Sequence, residues 1–112
     1  MSAPTRKQRL ESLLHREIAT TVQRELKDPR IGFVTITRVE MTTDLHNVTA
    51  YFSVLGTPAQ VRNATRALEA ARGYVQRAYA PALRTRLLPI LTFAHDEQEV
   101  KRQGMDELIH RA

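Results

Sequence analysis

From Thr57 to about Leu88 the chain repeats apolar residues at steps of three and four and keeps arginines on the opposite side of the same helical wheel. Arg62, Arg66, Gly73, Arg77 and Arg84 fall within a sector of about 60° at 100° per residue. Val61, Ala64, Leu68, Ala71, Val75, Ala78, Tyr79 and Ala82 gather in a separate sector of about 100°. An element built this way must lie on a core and present its arginines outward. Thr57 can cap it, Pro58 suits the first helical position and Gln60 completes a capping box. The pattern is interrupted at Ala71-Arg72-Gly73, where glycine costs a helix about 1 kcal/mol relative to alanine. Such a residue predicts a turn, a kink or a place where another molecule approaches the backbone closely. Pro81 disturbs the wheel again by removing an amide donor. Arg72 and Arg86 sit beside the apolar stripe unless a bend turns them outward.

Upstream, Leu10, Leu13, Leu14, Ile18, Val22 and Leu26 share one face and predict a first helix over residues 5–27. It ends at Asp28-Pro29, because the residue before a proline is pushed out of the helical region. Residues 33–41 are rich in β-branched side chains and predict a strand. Its apolar phase shifts from Val34 and Ile36 to Val39 and Met41, which a bulge or strong twist near Thr37 would explain. Residues 42–47 are turn-like, and Val48, Ala50, Phe52 and Val54 then alternate with polar residues as a half-buried strand completing an antiparallel hairpin. Pro89 opens a last short strand, 90–95, with Leu91 and Phe93 in one phase. Met105 to Ile109 fit one helical turn.

A chain of 112 residues fits a single domain, here 1–112, with its core over about 5–96 and a tail over 97–112. Its basic residues are 14 arginines and three lysines against 12 acids, and arginine favours planar, bidentate contact with phosphate. Residues 58–88 hold six arginines and one acid, Glu69, whereas residues 96–112 hold three basic and five acidic residues. Basic charge gathered on one element is the electrostatic outline of a nucleic-acid binder, although a solvated helix face has the same composition.

The chemistry of catalysis is missing from the pattern. The absence of cysteine excludes disulfides, thiolate zinc sites and a cysteine nucleophile, and fits a reducing cytoplasm. His15, His46, His95 and His110 lie in different elements, and the carboxylates are not paired, so neither a metal nor a cofactor is expected. His95-Asp96 is the nearest approach to a dyad, but neighbours on a strand point to opposite faces. Thr35, Thr37 and Ser53 have no base placed to activate them. Tyr51, Phe52 and Tyr74 raise the idea of a base-stacking platform, yet core or hairpin packing is the expectation for all three. No segment approaches a membrane span and the N-terminus has no signal-peptide core, so a soluble cytoplasmic protein is expected.

The order helix, strand, strand, broken helix, strand is that of a type II KH domain, an α+β fold whose three-stranded mixed sheet is covered by helices. The usual GxxG junction is absent, since the glycines stand at 32, 56, 73 and 104, and Ala71-Arg72-Gly73 takes its place. An Ala-x-Gly interhelical kink in place of GxxG resembles the bacterial ribosome-binding factor A family. Lys27-Asp28-Pro29-Arg30-Ile31-Gly32-Phe33-Val34-Thr35-Ile36-Thr37 is similar to that family's signature after the first helix. Asp44-Leu45, Tyr51-Phe52-Ser53-Val54, Arg84-x-Arg86, Pro89-x-Leu91-Thr92-Phe93, Asp96 and Met105-Asp106-Glu107-Leu108-Ile109 follow in register. The resemblance covers about residues 5–109.

It implies a monomeric, non-catalytic assembly factor that binds the free 30S ribosomal subunit and assists late maturation of 16S rRNA, including its 5′ end, and growth in the cold. Arg62, Arg66, Arg72, Arg77, Arg84 and Arg86 are the expected phosphate contacts, with Gly73 admitting close backbone approach. No membrane and no small-molecule substrate are implied. Three positions depart from the family pattern: Gln76 stands where an arginine is usual, Thr49 where a basic residue is common, and Pro81 where the helix usually continues. The alternative is a protein-interaction domain that docks a partner on its edge strand or hairpin and is merely solubilised by the basic helix. A small hydrolase on a similar framework would need an acid-base pair, and none is present.

Overall fold

The computed structural model describes residues 3–84 and 88–97. In chain order these form α1 (Arg6–Arg24), a 3₁₀ turn (Pro29–Ile31), β1 (Val34–Met41), β2 (Asn47–Val54), α2 (Pro58–Tyr79), a second 3₁₀ turn (Ala80–Ala82) and β3 (Ile90–His95). The three strands make one sheet in the order β1-β2-β3. β1 and β2 pair antiparallel, while β3 runs parallel to β2 with Val48 opposite Leu91 and Ala50 opposite Phe93. A parallel neighbour requires a crossover, and α2 supplies it. α1 packs chiefly against β1 and α2 against β3, with the two helices also in contact.

The core lies between this helical layer and one face of the sheet. Leu14, Ile18 and Val22 from α1 and Ala64, Leu68, Val75 and Tyr79 from α2 meet Val34, Ile36, Val39, Met41, Val48, Ala50, Phe52, Leu91 and Phe93. The inward phase of β1 changes between Ile36 and Val39 because the register with β2 slips between Ile36 and Arg38. Thr37 is therefore the extra residue of a bulge, as the apolar phase shift predicts. Without it, Val39 and Met41 would point to solvent.

Both helices begin on capping boxes. In α2 the Gln60 amide donates to Thr57 Oγ1 at 3.2 Å while the Thr57 amide donates to Gln60 Oε1 at 2.7 Å. Thr5 and Gln8 do the same for α1. α1 stops at Arg24, short of the expected residue 27. The chain turns at Glu25 and restarts as a 3₁₀ turn in which Asp28 accepts from the Arg30 amide at 2.9 Å. Leu26 nevertheless packs against the core.

The larger difference concerns α2. In place of two helices meeting at Ala71-Arg72-Gly73, one α-helix continues through all three residues to Tyr79. The interruption comes at Ala80–Ala82, around Pro81. Glycine weakens a helix but keeps its amide donor, and packing of the apolar stripe offsets that weakness; proline removes the donor outright. No described glycine has a positive φ, so Gly73 is not there to serve a left-handed turn.

Side chains from the helices close both sheet edges. The Ile36 carbonyl accepts from His15 Nε2 at 3.0 Å and the Met41 amide donates to Glu11 Oε2 at 2.8 Å. On the opposite edge the Leu91 amide donates to Gln76 Oε1 at 2.8 Å, and Tyr79 donates its hydroxyl to the Pro89 carbonyl at 2.5 Å. Burial pushes that phenol well above its usual range.

Candidate nucleic-acid interface

Apolar burial fixes the rotation of α2, and the rotation decides where its arginines go. Because Ala64, Ala67, Leu68, Val75 and Tyr79 face the core, Arg62, Arg66 and Arg77 are exposed on the other side. Arg72, which the wheel places beside the apolar stripe, is also exposed. None of the four has an ion-pair partner among the described residues. Charge left uncompensated in this way attracts an anion more strongly than charge already neutralised by a neighbouring carboxylate.

Gly73 lies within this face. A methyl group built on it would come within 4 Å of a single side-chain atom, Arg77 Nη1 at 3.4 Å. Helical side chains tilt toward the N-terminus, so Arg77 reaches back one turn and holds its guanidinium beside the bare backbone of Gly73. An oxygen anion approaching there meets a bidentate donor and little steric obstruction.

Arg84 is exposed but separate. Beyond the break at Pro81 it lines a groove with Arg6, Leu10, Leu45 and Pro89, so its neighbour is α1 rather than Arg62 or Arg66. Arg86 and the expected turn at Met105 to Ile109 lie outside the described residues. α1 adds exposed Arg6, Arg9, Arg16 and Arg24 to the basic surface, a contribution that the sequence reading did not single out.

Other arginines are committed to internal partners. Arg30 Nη2 lies 2.6 Å from Asp28 Oδ2, and its Nε donates to the same carboxylate. The Arg30 side chain, then its backbone amide, hold the Asp28 carboxyl down at about 2. Arg38 pairs with Glu40, approaches Asp96 Oδ2 to 3.7 Å and lies 3.7 Å above the Tyr51 ring centroid. Tyr51 has one ring face already covered by Arg38, and Phe52 is fully buried and offers no stacking surface.

Tyr74 differs from the packing expectation. It is 44% exposed on α2, because its position lies just outside the apolar stripe, on the side of Arg77. His95 and Asp96 point to opposite sides as expected of strand neighbours: the His95 ring packs on Phe52, while Asp96, 4% exposed, accepts from Thr37 Oγ1 at 2.6 Å. Among the described residues no group of histidines and carboxylates is arranged to hold a metal, and no helix is long and apolar enough to cross a membrane.

A mixed three-stranded sheet with two helices on one face and a basic crossover helix defines a type II KH-like α+β domain. Residues 6–109 match the family described as ribosome-binding factor A, and the chain belongs to that family. Ribosome-binding factor A of Thermomicrobium roseum is 45% identical over 91 residues, spanning 81% of this chain and 70% of that one. The crystal structure of ribosome-binding factor A from Thermus thermophilus is similar with a TM-score of 0.72 and 31% identity, covering 80% of this chain and 93% of that chain. A homology model of the Thermus thermophilus factor, as fitted into a cryo-EM map of a 30S complex, is similar with a TM-score of 0.65 and 31% identity, over 77% and 90% of the two chains.

Proposed function

We propose that this protein is a monomeric, non-catalytic assembly factor of the cytoplasm that binds the free 30S subunit and assists late maturation of 16S rRNA, including its 5′ end, and growth in the cold. The observation that carries the reading is the set of exposed, unpaired arginines Arg62, Arg66, Arg72 and Arg77 around Gly73 on α2. The homology model of the Thermus thermophilus factor fitted into the cryo-EM map of its 30S complex supports the choice of partner. On this reading the arginines contact phosphates, Gly73 admits the RNA backbone beside Arg77, Arg84 extends the contact toward the N-terminus of α1, and Arg86 is a further phosphate contact.

The competing reading, a protein-interaction domain that recruits a strand to its sheet edge, is disfavoured by a specific feature. Strand addition needs free edge amides and carbonyls. Here Glu11, His15 and Gln76 already occupy groups on both edges.

Co-sedimentation with separated small subunits, large subunits and joined ribosomes tests the proposal. Retention on free small subunits alone is the expected result. Equal retention on all three particles would reduce the basic face to general adhesion.

A further inference from the structure

We infer that Tyr74 and the trough beside it receive one unpaired base of the bound RNA, stacked on the phenol ring while the adjoining phosphates lie on the Arg66 and Arg77 face. This rests on the RNA-binding reading above and adds to it a single-stranded segment and a named subsite. Three observations lead there. Tyr74 is a large aromatic left 44% exposed on a helix whose other large apolar residues are buried. The trough it lines, of about 360 Å³, has Ala67, Ala70 and Ala71 along its α2 side, residues too short to fill it. A flat ring fits where those methyl groups leave the space open.

The third observation is the division of charge. The opposite wall comes from the end of α1 and the residues after it, where Glu25 and Asp28 stand with Lys27. Asp28 spends both carboxylate oxygens on Arg30, whereas Glu25 has no ion-pair partner among the described residues. Lys27 balances Glu25 and Arg30 balances Asp28, so this wall carries little net charge and draws phosphate less than the unpaired arginines of α2, while the Glu25 carboxylate can accept hydrogen bonds from the exocyclic amino group of a base. Arg66 and Arg77, one turn to either side of Ala70 and Tyr74 and exposed, attract phosphate. The chemistry therefore orients a nucleotide with its base inward toward Glu25 and its backbone outward on the arginines. Aromatic stacking tolerates any base, but the Glu25 wall favours an amino-bearing one such as cytosine over uracil.

The test measures binding of the full chain to free small subunits over a salt series for wild type, Tyr74→Ala, Tyr74→Phe, Arg66→Ala, Arg77→Ala and the double arginine variant. Stacking releases no counterions, so Tyr74→Ala is expected to weaken binding by about tenfold at every salt concentration with an unchanged salt slope. Tyr74→Phe should bind like wild type, and Arg66→Ala should lower the slope by about one unit. Wild-type binding by Tyr74→Ala, alongside a lowered slope for Arg66→Ala, would overturn the base subsite and leave the RNA reading standing. An unchanged slope in Arg66→Ala, Arg77→Ala and their double variant would remove the RNA reading itself. A loss in Tyr74→Phe as large as in Tyr74→Ala would make the contact a hydroxyl bond and overturn stacking. As a check independent of any truncated side chain, Tyr74→Trp places the only tryptophan in the chain at the subsite. Its emission should be quenched when small subunits bind, and unchanged emission on binding would count against the subsite.

Discussion

Thr37 and Asp96 meet across the width of the sheet: the Thr37 hydroxyl donates to Asp96 Oδ2 at 2.6 Å although β2 lies between their strands. The contact exists because Thr37 is the bulge residue of β1 and Asp96 is the first residue beyond β3. Its hydroxyl also lies 3.3 Å from the Tyr51 carbonyl on the strand between. A bulge that corrects the apolar phase of β1 thereby also positions a polar clasp between the two outer strands.

Thr37→Val keeps the shape and removes the donor from a buried carboxylate. A hydrogen bond to a charged group is worth about 1.5–3 kcal/mol, and that loss is expected in chemical denaturation. Thr37→Ser retains the hydroxyl and should stay within about 1 kcal/mol of wild type. Equal stability of the valine and serine variants would show that the clasp contributes nothing to folding.

Gly73→Ala should separate folding from binding. The position is helical, has no positive φ, and offers a new methyl group ordinary contact with one flexible side-chain end at 3.4 Å. Replacing a mid-helix glycine by alanine therefore raises stability by about 1 kcal/mol. If the bare backbone is where RNA approaches, affinity for small subunits falls on the order of tenfold, equivalent to about 1.4 kcal/mol. Thermal melting and co-sedimentation of the same preparation check both signs. A variant both more stable and equally tight would assign Gly73 no part in binding.

Asp28 and Arg30 give a pH signature. The carboxyl is held at about 2 by the Arg30 side chain and then by its amide, below an unfolded value of about 3.9. A lowered folded pKa means the proton binds more readily to the unfolded chain, so the contribution of the pair is fully present above about pH 4 and disappears as pH falls through about 2. A carboxyl-carbon NMR titration of Asp28 should have its midpoint at about 2, and Arg30→Ala should return it toward the ordinary aspartate range. A wild-type midpoint near 3.9 would mean the pair does not form in solution.

Much of this architecture is legible in the residues because it depends on periodicity. The stripe on α2 fixes which arginines are outward, and the phase shift between Ile36 and Val39 marks the bulge at Thr37. Features set by competition between elements are less legible. Gly73 is a local penalty that core packing overrides, whereas Pro81 is a missing donor that packing cannot restore, so the break falls at the latter. The groove that Arg84 and Arg6 both line and the bond from Thr37 to Asp96 join residues remote in sequence, and no spacing rule reaches them. Tyr74, expected to pack, is instead exposed, because its angle on the wheel lies between the apolar and basic faces.

Gln76 ties α2 to the edge of the sheet. Its side-chain amide oxygen Oε1 accepts the outward-pointing amide of Leu91 at 2.8 Å, sealing that point on the β3 edge. Arginine has five donors and no acceptor, so Gln76→Arg leaves the Leu91 amide without its partner. The expected cost is about 1–3 kcal/mol, the penalty for an unsatisfied donor in a partly buried setting. Gln76→Glu keeps an acceptor and should preserve the bond. Hydrogen exchange at Leu91 reports the contact directly: faster in Gln76→Arg than in wild type, and protected in Gln76→Glu. The added arginine also flanks the basic face, so the salt slope of small-subunit binding should steepen even as stability falls. Unchanged Leu91 exchange in Gln76→Arg would show that the edge is sealed by something other than the glutamine.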